Sequence, residues 1–208
     1  MDNIKTIFLD WDGTLSNNVF WESLRQPKTK YMFDKIDYSL FETNKNLLDF
    51  WMLGKLDFND IIDVVHKDTK IKKAILKNEL ILSSKNGCFV NNEIPSIIKQ
   101  IQNNEINVIL SSDNMDVFDF TISSLKLNKL FDDILVSYRL GFLKKDICDK
   151  KLLFFEDYIK TNNLTYNECV LIDNSKNLSK ICKKVGMNNI LVKNINDITN
   201  ILKQFIKK

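Results

Sequence analysis

Short apolar runs alternate with amphipathic stretches through most of this chain, and that rhythm restricts its fold more than any other feature. The runs lie at about Lys5–Leu9, Ile106–Ser111, Asp133–Ser137, Cys169–Ile172 and Asn189–Val192, and each reads as a strand. Apolar residues at helical spacing follow near Glu93–Asn103, Asp116–Leu125, Lys150–Thr161, Lys176–Val185 and Ile195–Lys207. Short strands alternating with helices predict parallel βαβ units. Right-handed crossovers then place helices on both faces of one sheet. The expectation is an α/β protein with a three-layer, parallel-sheet core.

Residues 16–89 break the rhythm. They read as mainly helical, with patterns around Lys35–Trp51, Phe58–Asp68 and Ile71–Ser83, and Trp21, Phe33, Phe41, Phe50 and Trp51 give them an aromatic apolar face. A helical module inserted straight after the first strand is expected, so that 1–15 and 90–208 form the core and 16–89 the insertion. Trp21 and Trp51 are expected in the interior of that module. His66, the single histidine, sits in a helical pattern beside Val64 and Val65 and reads as a packing or surface residue.

Bulk properties exclude several classes of function. The chain has 208 residues, enough for one sizeable core or for a core plus a smaller module. With 44% hydrophobic and 27% charged residues it has the composition of an ordinary globular protein. A net charge of +3, with neither a basic block nor an acidic tail, argues against a nucleic-acid polymer as partner. No apolar run reaches bilayer length, so no membrane partner is expected. The N-terminal residues enter a strand directly, without the apolar stretch and cleavage site of a secretory signal. Cys88, Cys148, Cys169 and Cys182 lack CxxC or metal-like spacing and read as small, partly buried residues in a reducing cytoplasm.

The first strand ends in Asp10-Trp11-Asp12-Gly13-Thr14-Leu15. Residues i and i+2 of a strand face the same side, so Asp10 and Asp12 can look into one crevice. Two anions so close resist ionisation unless a cation or shared proton relieves them. A hard divalent ion with oxygen ligands, normally magnesium, gives that relief. In an open parallel sheet the carboxyl ends of the strands line the ligand crevice. The second strand runs into Ser111-Ser112-Asp113-Asn114 ahead of a helix, which suits either helix capping or anion binding. Lys144 follows the third strand on a short loop, and Asp173-Asn174 ends the fourth. Together these ends supply acids for a metal, a hydroxyl, and a cation for phosphate.

This series resembles the haloacid dehalogenase (HAD) superfamily, whose members are mostly phosphatases. Asp10 to Leu15 resembles its first motif, with the Gly-Thr-Leu ending intact. Ser112 resembles the second-motif hydroxyl, with Ser111 the alternative by one residue. Lys144 in Gly-Phe-Leu-Lys resembles the third-motif lysine, although Lys145 stands where proline frequently follows. Asp173-Asn174 resembles the fourth motif, with Asn174 where a second acid is common. The insertion at 16–89 matches the family's helical cap of the first type, and the resemblance implies a Rossmann-like core.

The resemblance implies a magnesium-dependent phosphomonoester hydrolase acting on a small phosphorylated metabolite. Asp10 is the implied nucleophile, forming a phosphoaspartyl intermediate, and Asp12 the implied acid and base. Asp10, Asp173 and the backbone carbonyl of Asp12 would hold Mg2+; Ser112, Asp113 and Lys144 would face the phosphate. The dehalogenase branch lacks an acid two residues after its nucleophile, because halide leaves without a proton. Asp12 therefore implies the phosphatase branch. Arg25, Lys28 and Lys30 read as solvated charges of the insertion, or else as contacts for an anionic substrate tail. Three other readings are a phosphosugar mutase, a receiver-type phospho-acceptor, and a weakly catalytic binding member suggested by Asn174.

Overall fold

The computed structural model describes residues 3–44 and 46–206. Among the described residues there are seven strands: β1 Thr6–Leu9, β2 Asn107–Ser112, β3 Asp133–Val136, β4 Ile147–Cys148, β5 Lys151–Leu152, β6 Cys169–Asp173 and β7 Asn188–Leu191. Ten α-helices accompany them among the same residues. The first four are α1 Lys30–Tyr38, α2 Leu47–Met52, α3 Phe58–Thr69 and α4 Lys73–Lys85. The other six are α5 Ile94–Gln102, α6 Phe118–Ser124, α7 Ser137–Leu140, α8 Leu153–Thr161, α9 Lys176–Val185 and α10 Ile198–Lys203.

Five strands form one wholly parallel sheet in the order β3-β2-β1-β6-β7. Strand order reverses at β1, where the chain has passed to one side for β2 and β3 and to the other for β6 and β7. Such a switch point opens a crevice beyond the strand ends. Because side chains alternate between faces, the sheet supports two separate apolar layers. Ile7, Leu9, Val108, Leu110, Val170 and Ile172 pack with residues of α5, α6 and α10 on one face. Phe8, Ile109 and Leu171 pack with residues of α8 and α9 on the other. This is the expected three-layer, Rossmann-like α/β architecture.

Helices α1–α4, all within residues 16–89, enclose a third apolar cluster. Trp21 and Trp51 are buried within it, and Met115 and Val117 join it from the segment after β2. Strong local signals set these helices. Asp57 and Asp60 form a reciprocal capping box at the start of α3, and Lys70 in a left-handed conformation ends it. Arg25 lies over the Phe33 ring and beside Glu22, and Lys30 pairs with Asp34, so both are engaged on the surface. His66 lies in α3, its Nδ1 2.7 Å from the Ile71 carbonyl.

Four local features depart from the sequence reading. The helical pattern expected from Lys150 starts at Leu153, because 147–152 make a tight antiparallel hairpin, β4 with β5. Asp149 and Lys150 both have positive φ, as a two-residue turn of that twist requires. The pattern expected over Lys35–Trp51 is three pieces, because a π-helical turn at Ser39–Thr43 separates α1 from α2. Ser137, expected to end a strand, opens α7. The last helix stops at Lys203 after a short 3-10 turn, and Lys207 lies outside the described residues. Cys169 and Cys182 are buried in the sheet–helix layer, whereas Cys88 and Cys148 are exposed. Among the described residues no helix is long and apolar enough to cross a membrane.

Candidate active site

Register across the three central strands builds the site. Leu9 stands beside Leu110 of β2 and Ile172 of β6, so the next row reads Ser111, Asp10, Asp173. These three lie on the face that carries Ile109, Phe8 and Leu171 one pleat earlier. All three are buried. Beyond Asp10 the backbone turns sharply: the amides of Leu15 and Ser16 both donate to the Trp11 carbonyl at 2.9 Å, and Gly13 takes φ +73°. A side chain at Gly13 would be strained there, and its Cβ would fall 2.0 Å from Asn174 Nδ2. The turn brings Thr14 Oγ1 back to donate to Asp10 Oδ2 at 3.0 Å.

Lys144 arrives from a different element. Gly141, in a left-handed conformation, ends α7, and the following loop is held by the Lys144 amide donating to Asp113 Oδ1 at 2.8 Å. The ammonium is buried and donates to Asp10 Oδ1 and to Asp173 Oδ2, each at 2.6 Å. Two carboxylates thus converge on one cation. Asp173 is oriented further by the Ser175 amide, which donates to its Oδ1 at 2.7 Å.

Asp12 lies beside this triad without joining it. Its Oδ2 accepts from Asn114 Nδ2 at 2.8 Å, and its backbone carbonyl accepts from Asn174 Nδ2 at 3.2 Å. Asn114 is itself buried, its backbone fixed by Ser137, whose hydroxyl accepts from the Asn114 amide and donates to its carbonyl. Burial raises the pKa of Asp10, Lys144 opposes the rise and Asp173 adds to it, leaving Asp10 at about 6. Confinement in the crevice, then the charge of Asp10, pushes Asp12 up to about 7, although this residue keeps solvent contact at the mouth. Burial works against the charged form of Lys144, but Asp10, Asp173 and Asp113 together hold its pKa above the usual lysine range.

Five of the expected residues border one crevice, and Ser112 is not among its lining residues. Asp10, Asp12, Lys144 and Asp173 line one crevice of about 220 Å3, together with Lys145 and Asn174. Asp113 also borders it, and burial raises its pKa, but its carboxylate holds the Lys144 loop. Of the two serines, Ser111 stands in the row with Asp10, and its buried hydroxyl has no hydrogen-bond partner. The Ser112 hydroxyl points to the opposite face, 3.4 Å from Asn114 Nδ2. The contacts of Asn114, Ser137 and Asn174 depend on long-range packing; Asn114 and Asn174 stood in the motif segments, whereas Ser137 carried no signal beyond the end of an expected strand.

The donor set suits a hard cation. Asp10 and Asp173 converge on the Lys144 ammonium, the Asp12 carbonyl is held by Asn174, and the three would make an all-oxygen donor set. The Asp12 carboxylate is turned toward Asn114, and among the described residues no three acidic, histidine or cysteine side chains cluster around one point. Two carboxylates and a main-chain oxygen are therefore what the chain offers.

Several solved structures share this architecture. A HAD family enzyme of Bacteroides thetaiotaomicron superposes with a TM-score of 0.73 at 15% identity, covering 96% of this chain and 98% of its own. The fold is that of the HAD superfamily. The same enzyme in complex with magnesium and inorganic phosphate gives a TM-score of 0.67 at 16% identity, covering 90% of this chain and 93% of that one. A predicted HAD-like family hydrolase of Porphyromonas gingivalis matches at 0.70 and 16% identity over 99% of this chain and 100% of its own. The L-2-haloacid dehalogenase of Xanthobacter autotrophicus, with chloropropionic acid covalently bound, matches at 0.59 and 12% identity over 91% of this chain and 77% of its own. No protein-family model and no curated protein sequence matches the chain.

Proposed function

We propose that this HAD-fold protein is a magnesium-dependent phosphomonoester hydrolase that works through a phosphoaspartyl intermediate on Asp10. The observation that carries the reading is Asp12: a carboxyl group beside the nucleophile, held by Asn114, with its pKa raised to about 7. A general acid works best near the operating pH. A departing alkoxide needs such a proton and a departing halide does not, which favours phosphate esters over haloacids as substrates.

Asp10 Oδ attacks phosphorus as the bond to the ester oxygen breaks, and Asp12 gives its proton to that oxygen. Asp12, now ionised, takes a proton from water attacking the aspartyl phosphate, which releases orthophosphate and regenerates Asp10. Thr14 keeps the Asp10 carboxylate aligned through the hydrogen bond to its other oxygen. Lys144 and Ser111 bind the equatorial oxygens, where charge resides in a loose transition state. Ser111 takes this role in preference to Ser112 because its hydroxyl is buried, unpartnered and in register with Asp10. Asp113 acts through Lys144 by anchoring its loop. Asp10, Asp173 and the Asp12 carbonyl would hold Mg2+, whose charge would offset repulsion between the carboxylates and the phosphate dianion. Residues 16–89 form the cap over this crevice, and 1–15 with 90–208 the catalytic core. Free thiols at Cys88 and Cys148 suit a reducing cytoplasm.

A magnesium-supplemented panel of phosphate monoesters, ranked by kcat/KM, tests the proposal. Hydrolysis is expected to require magnesium and to vanish in Asp10→Asn. Near-normal turnover by purified Asp10→Asn would remove Asp10 as nucleophile.

A further inference from the structure

The aromatic face of the helical segment contains an open-mouthed cavity of about 280 Å3 that shares no lining residue with the catalytic crevice. Its walls include Trp21, Phe33, Ile36, Leu40, Trp51 and Met115, of which all but Phe33 are buried. Concave, mostly apolar walls with an open mouth favour apolar guests.

Two backbone irregularities sit in these walls. Trp21 adopts a left-handed conformation, φ +56°, which is rare for a bulky residue. Its amide is held by Ser83 Oγ at 3.0 Å and its indole N–H donates to the Leu76 carbonyl at 2.8 Å, so the conformation is firmly fixed. On the facing side, Leu40 and Phe41 belong to the π-helical turn at Ser39–Thr43, closed by the Asn44 amide donating to the Ser39 carbonyl at 3.1 Å. Strained backbone and π-turns both concentrate at ligand sites. Here both shape one hollow.

We propose that this cavity is a binding site for a compact, uncharged aromatic or branched aliphatic group of a small molecule. Size favours that occupant, because the volume lies just below the range of drug-sized pockets. Chemistry favours it too: a charge carried inward would meet no partner. Asp37, the one ionisable residue of the lining, and Phe41, 53% exposed, stand on the solvent side. The occupant would touch the segment that carries the catalytic acid's partner. Met115 directly follows Asn114, and the Trp51 indole donates to Asp116 Oδ1 at 2.7 Å.

Fluorobenzene is a suitable probe, followed by its fluorine resonance and by the fluorescence of Trp21 and Trp51. The expected result is saturable binding that persists when magnesium and inorganic phosphate are added. Leu48→Phe, which narrows the cavity, is expected to weaken binding by about tenfold or more. If that variant does not fold, Met52→Phe carries the same expectation. Absence of saturation in the wild-type protein, displacement by magnesium and phosphate, or unchanged affinity in the folded narrowed variant would each overturn the proposal.

Discussion

Asp12 and Ser111 differ from their neighbours by a single pleat or a single hydrogen bond, and that difference decides what each can do. In Asp12→Asn the amide can no longer donate a labile proton, so alkyl phosphates should turn over about 10²–10⁴ times more slowly. An aryl ester with a stable phenolate leaving group should still phosphorylate Asp10. Dephosphorylation then loses its base, and the phosphoenzyme should accumulate, visible as added phosphoryl mass on the intact protein. A variant that never gains that mass, yet still binds phosphate, would contradict the assigned order of steps. Ser111→Ala should reduce kcat/KM by about 10²–10³, as removal of an oxyanion donor does elsewhere. Ser112→Ala should cost much less, because its hydroxyl faces Asn114 across 3.4 Å. Equal losses in the two variants would show that the strand register does not select the hydroxyl.

At the scale of elements, the loop after β1 and the loop after β2 hold the site to its surroundings. Gly13 meets both a backbone and a space requirement. Gly13→Ala should lower stability by about 1–3 kcal/mol in urea denaturation, since left-handed strain alone is worth about that much. Adding Asn174→Ala should relieve only the contact and leave the strain. Asp116 links the loop after β2 to the helical segment: Oδ1 accepts from the Trp51 indole at 2.7 Å and Oδ2 from the Phe58 amide at 3.0 Å. Hydrogen bonds to a charged group contribute about 1.5–3 kcal/mol each. Asp116→Ala should therefore speed amide exchange in α2 and α3 before it affects the central sheet. Uniform acceleration across all strands would argue that the clasp has no local role.

The whole molecule carries an electrostatic burden at one place, and pH should expose it. In the metal-free protein the folded pKa values of Asp10 and Asp12 are raised to about 6 and about 7. For acids with raised values the folded state binds more protons than the unfolded state. Their contribution thus favours folding at low pH and is lost as pH rises toward 7. Thermal melts of Asp10→Asn/Asp12→Asn should lack most of that dependence. Magnesium, if held by Asp10 and Asp173, should raise the wild-type melting temperature most at neutral pH, where Asp10 is ionised, and should go on raising it with the logarithm of concentration above Kd. Lys144→Met should leave Asp10 and Asp173 facing each other without their shared cation. Removing one partner of a buried ion pair typically costs about 3–5 kcal/mol, and added magnesium should recover part of it.

Much of this architecture was legible before any coordinates. Hydrophobic period separates strand from helix locally, so the five sheet strands and α9 fall within a residue or so of their expected limits. Acidic residues at the ends of apolar runs marked Asp10, Asp12 and Asp173, because parallel strands bring their carboxyl ends to one edge. Pattern alone could not read the hairpin at 147–152, since Asp149 and Lys150 take left-handed conformations without the Asn-Gly signal such turns usually show. Nor could it choose between Ser111 and Ser112. That choice is a matter of register with β1, and register is set by pairing between residues about a hundred positions apart. The same holds for the hydrogen bond from Asn114 to Asp12 and for the capture of one ammonium by two carboxylates. Local chemistry in the chain determined which elements form and which residues end them; packing between distant segments alone decided which side chains meet, and in which orientation.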